Sequence, residues 1–361
     1  MRSDLPGPVA AAIERCARPS LVFDLERIAA NLSAFAAAAR AEAVTALFAA
    51  KSFPHPAVRS IAATTLDGFD AASDGELAEL PPVRIVSVVD PSGRAGRASR
   101  ADRLIVGCET VQQVCDAPAR AEIAIRLSAS LTGRDPAIGA VLEPSGRRRS
   151  RFGLDVEPAR RRDAIAALAR AADGRPIGLH VHHGAIAATG GDRFVATALA
   201  ALAAADDAGV VPNFLDVGGA WHAVADLRAA LAELRAAVPA AIELIVEPGR
   251  AIADRAGFAC GRVVVARELD DRSLRIVELS RICHLRWSHL ELVGSAPRPG
   301  EAHPVLVVGP TCFEDDVLGD WLAAPGALAA GERIVVRNVT GYAVAWNTGF
   351  AGVAPADVVI V

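Results

Sequence analysis

Between residues 21 and 246, short apolar runs alternate with longer alanine-rich runs of helical period. This alternation constrains the fold more than any other feature of the chain. Strand-like runs fall at 47–50, 68–71, 84–88, 103–106, 122–127, 177–181, 213–217 and 241–246. Helical stretches fall at 25–39, 74–80, 110–116, 157–172, 193–205 and 225–238, with Asp24 and Asp74 standing where N-caps are expected. Strands separated by helices lie parallel, and eight such alternations over this length are what a (β/α)8 barrel requires. The expectation is an α/β protein built on that barrel.

After about residue 257 the rhythm changes. Runs at 263–266, 274–279, 305–308, 333–337 and 357–361 read as strands without helices between them. They point to an all-β second domain. The expected organisation is a barrel over 20–257 and a β-domain over 258–361 joined by residues 1–19. A length of 361 residues suits two domains.

Composition removes several classes of function. A net charge of −4 leaves no electrostatic case for a nucleic-acid partner. No apolar run reaches membrane-spanning length, and the segment Met1-Arg-Ser-Asp-Leu-Pro6 lacks the apolar core of a signal peptide. Cys16, Cys108, Cys115, Cys260, Cys283 and Cys312 are scattered without paired spacing. That argues for reduced thiols in a cytoplasm, against a disulfide framework, and against a metal site. The basic run at 147–151 reads as a solvated loop.

Of the 38 cationic Lys and Arg side chains only Lys51 is a lysine. A chain that writes arginine elsewhere keeps an amine where a guanidinium cannot substitute. A buried amine can lose its proton and attack a carbonyl to form a Schiff base, whereas a guanidinium cannot. Lys51 follows the apolar run 46–50, at a strand end. The competing reading, a chance survivor on a solvated face, fits that position less well.

Active sites of such barrels lie at the C-terminal strand ends, with phosphate often held after strands seven and eight. After the seventh run comes Leu215-Asp-Val-Gly-Gly-Ala-Trp-His222, where Gly218 and Gly219 would let backbone N–H groups approach a phosphate. After the eighth comes Glu247-Pro-Gly-Arg250, whose arginine suits the same phosphate. The sixth ends in Gly178-Leu-His-Val-His-His-Gly-Ala185. Each taken alone reads equally as an ordinary loop or a core histidine. Together with a Schiff-base lysine they specify a phosphate-bearing aldehyde, and pyridoxal phosphate is the candidate cofactor.

These motifs, with Phe48-Ala-Ala-Lys51, Gly68-Phe-Asp-Ala-Ala-Ser-Asp-Gly-Glu-Leu77, Gly309-Pro-Thr-Cys312 and Thr340-Gly-Tyr-Ala-Val344, run through almost the whole chain. The chain resembles the fold-type III pyridoxal-phosphate decarboxylases, the ornithine, diaminopimelate and carboxynorspermidine decarboxylase group. The resemblance implies an alanine-racemase-like barrel with a C-terminal β-domain, a homodimer with shared active sites, and loss of an α-carboxylate as CO2. It implies that Lys51 holds the cofactor as a Schiff base, His182 stacks on its ring and Glu247 pairs with the ring nitrogen. It places the phosphate on Gly218, Gly219, Arg250 and Tyr342, the one tyrosine of the chain. Asp70 and Arg126 would organise the lysine and ring-hydroxyl side. Cys312 from a partner subunit would return the proton after CO2 leaves, although a buried structural cysteine is the alternative.

The chain also departs from that pattern. Ala185 replaces a phosphate-binding Ser, Ala220 a third Gly and His55 an Asn. Phe313 stands where the group carries an acid for a distal amine, leaving Glu314 and Asp316 as candidates for that work. Arg286, with His284 and His289, would suit an extra carboxylate on a larger substrate, nearer the carboxynorspermidine branch; a solvated surface loop is an equal reading. A racemase on the same fold and a non-catalytic binding partner are the alternatives. A two-base racemase lacks a spare tyrosine, and a non-catalytic homologue would be expected to lose Lys51.

Overall fold

The structure is a computed structural model describing residues 4–96, 99–132, 141–142, 148–154, 157–182, 191–294, 301–324 and 326–361. Its residues group into two compact units: Leu32–Lys51 with Arg59–Ile252, and Met1–Asn31 with Ser52–Val58 and Ala253–Val361.

The first unit is a closed barrel of eight parallel strands. They are Val44–Ala49, Gly68–Ala71, Ile85–Val88, Arg103–Cys108, Glu122–Leu127, Ile177–Val181, Phe214–Asp216 and Glu243–Val246, and the eighth pairs with the first. The barrel interior holds a layer of Leu47, Ile85, Ile105, Ala124, Phe214 and Ile245. Below that layer Arg103 bridges Glu122 and Glu243 at 2.8 Å each, which neutralises two part-buried carboxylates. Successive strand side chains point to opposite faces, so a residue two places after the interior layer also points inward, nearer the C-terminal mouth. That rule places the site.

The helical stretches read from the sequence are present as Leu25–Ala41, Asp74–Ala78, Val111–Asp116, Pro158–Ala171, Asp192–Asp207 and Leu227–Ala237. A further helix, Pro56–Thr65, follows the first strand. Proline suits its first turn, where the missing N–H costs nothing. Asp24 caps its helix by accepting from Arg27 N at 3.0 Å. At the other expected cap, Ser73 accepts from Glu76 N, while the Asp74 carboxylate turns to Gly96 N at 2.9 Å.

The second unit is an eight-stranded sheet. The path runs Glu291–Leu292, Arg333–Arg337, Gly257–Glu268, Ser273–Val277, His303–Val308 and Val317–Ala323. Strand Ser20–Phe23 pairs antiparallel with Gly257–Glu268 and parallel with Asp357–Ile360, so it belongs to this sheet and not to the barrel. Helix Gly7–Arg15 turns Val9, Ala12 and Ile13 onto Val22, Phe258, Cys260 and Val335. Each buried large aliphatic side chain there contributes about 1.5–3 kcal/mol. Together, the closed barrel and the mostly-β unit are the expected fold class.

Candidate active site

Counting two residues on from the interior layer gives Arg126 after Ala124, Asp216 after Phe214 and Glu247 after Ile245. The same alternation sends His180 and His182 the same way. Polar side chains facing a barrel interior are expensive to bury unless they are paired or used.

Lys51 lies in the turn Ala50–Ser52 that ends the first strand, and its Nζ donates to Oδ2 of fully buried Asp70 on the second strand. Arg126 is 3.9 Å from Glu109 and lies over the Phe152 ring at 4.7 Å. Burial pulls its guanidinium below its usual value, against the pull of Glu109, Glu247 and Asp70. Three carboxylates, Asp70, Glu109 and Glu247, thus gather near Lys51 and Arg126.

The floor of the site is a buried trio. His180, Asp216 and Glu247 are 2–3 % exposed, and one ligand atom from each lies within 4.8 Å of the others. Burial, then the charges of Asp216 and Asp70, raises the Glu247 carboxyl well above its usual value. Burial pushes Asp216 up to about 7, and the two carboxyls are hydrogen-bonded. His180 is held neutral by burial and by the nearby Arg126. Glu247 Oε1 and both His180 ring nitrogens are buried with no hydrogen-bond partner among the described residues.

Beside the floor, Gly218 has a φ of +69°, and a Cβ there would come within 2.7 Å of His182 Cδ2. A Cβ on Gly219 would meet the Glu247 carbonyl oxygen at 3.0 Å and His182 Nε2 at 3.3 Å. Only glycine lets the turn bring its N–H groups so near the imidazole. Asp216 Oδ1 accepts from Gly218 N at 2.8 Å; Gly218 O accepts from Glu247 N and from Trp221 Nε1, both at 2.9 Å. Ala220, next in the turn, is itself left-handed at φ 76°. Arg250 Nη1 lies 3.1 Å from His222 Nε2.

The barrel therefore brings together Lys51, Asp70, Arg126, His182, Gly218, Gly219, Glu247 and Arg250. The remaining candidates are in the sheet unit. Tyr342 is half-buried, edge-on to Trp287 with ring centroids 5.2 Å apart. Cys312 and Glu314 are exposed, and Phe313 pairs edge-on with Phe350 at 6.2 Å. Arg286 is exposed, over the Trp346 ring at 4.7 Å.

Two candidates are corrected. Asp316 is 2 % exposed, and its carboxylate accepts from Ser280 Oγ, Arg281 N, Thr311 N and Thr311 Oγ1 at 2.6–3.3 Å. A carboxylate so saturated fastens two loops together and has no lone pair to offer a substrate amine. His284 is fully buried between Ser280 N and Ala354 O, so it reads nothing outside its own fold. Ala185 and the His183-Gly184 end of its motif, like Arg147 of the basic run, lie outside the described residues. Asp216 and His180 were missed as site residues, although strand period alone points both inward.

These residues fit pyridoxal phosphate. An amine sits at one strand end, a glycine turn and an arginine form a cradle for a phosphate, and a buried carboxyl oxygen is left for a ring nitrogen. The fold and site define a class: barrel enzymes that hold an aldehyde cofactor on a lysine. Residues 25–254 match the family described as pyridoxal-dependent decarboxylase, pyridoxal binding domain, and the chain belongs to that family. Pyridoxal phosphate is its cofactor. A diaminopimelate decarboxylase of Vibrio cholerae is 29 % identical over 115 residues, which span 30 % of this chain and 27 % of that relative. Among solved structures, the arginine decarboxylase of Paramecium bursaria Chlorella virus bound to agmatine superposes with a TM-score of 0.78. That match covers 100 % of both chains at 16 % identity. A lysine/ornithine decarboxylase from Vibrio vulnificus, complexed with cadaverine, gives 0.77 at 19 % identity, covering 98 % of this chain and 97 % of its own. At these identities the structural likeness speaks for the fold.

Proposed function

We propose that this protein removes the α-carboxylate of an amino acid as CO2, acting on a diamino acid or a larger carboxylated derivative. The observation that carries this reading is the chain's one lysine, bonded at a barrel mouth to buried Asp70, with a buried Glu247 oxygen in the same mouth that has no hydrogen-bond partner among the described residues.

Bound there, pyridoxal phosphate supplies an electron sink for the pair left behind as CO2 departs. Lys51 is the amine that would hold the aldehyde. Asp70 orients that amine and offers its charge to Lys51 and Arg126. His182, its imidazole held by the Gly218 turn, would pack against the cofactor ring. Glu247 would accept from the ring nitrogen and so keep it protonated. Gly218, Gly219 and Arg250 would hold the phosphate, and Tyr342 is assigned to it as well. Cys312, exposed in the chain described, is assigned to proton return in a homodimer with shared sites. Glu314 and Arg286 are assigned to the distal end of the substrate, since Asp316 is committed elsewhere. Six unpaired thiols suit a cytoplasmic setting.

The test is CO2 release by the cofactor-loaded protein from ornithine, lysine, arginine, meso-diaminopimelate and carboxynorspermidine, with Lys51→Ala as the blank. Release that depends on Lys51 supports the reading. Exchange of the α-proton into solvent without CO2 would replace it with racemisation.

A further inference from the structure

The two jobs at the barrel mouth, holding a phosphate and holding a ring nitrogen, fall to elements on different strands. One side chain touches both. Asp216 ends the seventh strand, and its Oδ1 accepts the Gly218 N–H at 2.8 Å, while its carboxyl is hydrogen-bonded to that of Glu247. The backbone repeats the link, because Glu247 N donates to Gly218 O at 2.9 Å. Asp216 is 3 % exposed, so water does not compete for it. We propose that Asp216 is a positioning residue of the cofactor site, which locks the glycine turn to Glu247 and takes up the proton Glu247 must give away when the cofactor is seated. The inference rests on the function proposed above.

The chemistry follows from the donors present. Two hydrogen-bonded buried carboxyls must share a proton, because two bare anions at that distance would repel without water to screen them. In the cofactor-free site the pair holds that proton between its two carboxyls, both raised by burial. A Glu247 oxygen that accepts from a ring N–H has to be ionised. The shared proton then settles on the Asp216 oxygen to which it was already bonded, since His180, 3.9 Å from Glu247 Oε1, is kept neutral by burial and by Arg126. No atom is gained or lost; the hydrogen bond takes one polarity. Asp216 then donates to Glu247, fixes the rotation of that carboxylate and keeps its own grip on Gly218. Its other candidate neighbour, His180, has its Nε2 3.9 Å from Glu247 Oε1, beyond hydrogen-bond reach, and is not the link.

An asparagine reproduces the loaded state: its oxygen accepts from Gly218 and its amide donates to Glu247. The experiment compares Asp216→Asn and Asp216→Ala with the parent chain. Pyridoxal phosphate is titrated into each cofactor-free protein, with the visible absorption band and the dissociation constant as readouts and far-UV circular dichroism and thermal melting as folding controls. The expected result is that Asp216→Asn keeps the parent band and an affinity within a few-fold. Asp216→Ala, folded by its dichroism, should bind about 10- to 100-fold more weakly with a displaced band. Should Asp216→Ala fail to fold, the asparagine variant still decides. An asparagine protein that folds but binds as weakly as expected of alanine overturns proton uptake, since only a negative charge would then serve. Parent-like binding by Asp216→Ala overturns the positioning role. A parent protein that never takes up the cofactor would sink the function proposed above, and this inference with it.

Discussion

Ala220 shows how a single residue records a local conflict. Its φ of 76° lies in the left-handed region, where an alanine is strained by roughly 1–2 kcal/mol. Glycine would remove that strain and cost about 0.5–1 kcal/mol through the freer unfolded chain. Strain is the larger effect, so Ala220→Gly should raise stability by about 0.5–1 kcal/mol and the melting temperature by about 1–4 °C. An unchanged or lower melting temperature would mean that the turn has relaxed around the methyl. The buried carboxyls make a second prediction. The fold keeps a proton on the Asp216–Glu247 pair: burial first, with the charge of Asp70 adding to it, raises Asp216 from 3.8 to about 7. The stability tied to that proton is complete below the ordinary pKa of Asp216 and is lost as pH rises through about 7. Glu247, also raised, acts in the same direction. Cofactor-free protein should therefore melt several degrees lower at about pH 8 than at about pH 5. Asp216→Asn, with no proton to lose there, should flatten part of that slope. A melting temperature that rises over this range would contradict the assignment.

At the scale of elements, the glycine turn is held from outside the barrel as well as from within. Trp221 stacks on Phe194 of helix Asp192–Asp207, with centroids 4.0 Å apart and planes 8° from parallel, and meets Phe35 edge-on. Its indole N–H reaches Gly218 O at 2.9 Å. Trp221→Phe keeps an aromatic ring against Phe194 and loses the hydrogen bond. Gly218 O still accepts from Glu247 N, so that loss should cost only about 1 kcal/mol in urea unfolding. Trp221→Ala removes the buried ring and should cost about 3–5 kcal/mol. Equal costs for the two variants would show that the hydrogen bond, not the packing, holds the turn. These elements were legible to different degrees. Strands with buried, β-branched stretches such as Ile85–Val88 announced themselves by composition. Helix Pro56–Thr65 did not, since proline marks loops and first helical turns alike.

At the scale of the whole molecule, the chain is not two successive blocks. Strand Ser20–Phe23 is bonded on one side to Gly257–Glu268 and on the other to Asp357–Ile360. Both partners lie more than two hundred residues downstream. A chain stopped after Ile252 would leave both edges of that strand without partners and bare the apolar face of helix Gly7–Arg15. Such a truncation should aggregate on size exclusion instead of eluting as a folded barrel. A monodisperse, folded truncation would show that the barrel unit can do without residues 253–361.

The amino-acid sequence by itself determined the barrel and the identity of its amine. Eight strand–helix alternations leave few ways to bury their apolar faces, and a single lysine among arginines admits few chemistries. Legible too were the glycine turn, Glu247 and Arg250, because each follows a strand within a few residues. Tertiary structure alone decided which polar residues meet. Asp216 and His180 lie in motifs legible in the sequence, but their nearness to Glu247 arises from the pairing of adjacent barrel strands, not from neighbours along the chain. The same reason removed Asp316 from the substrate's reach: Ser280 and Thr311, which saturate it, lie on separate loops. Local periodicity fixes the direction in which a side chain points; what it meets there depends on how distant strands close.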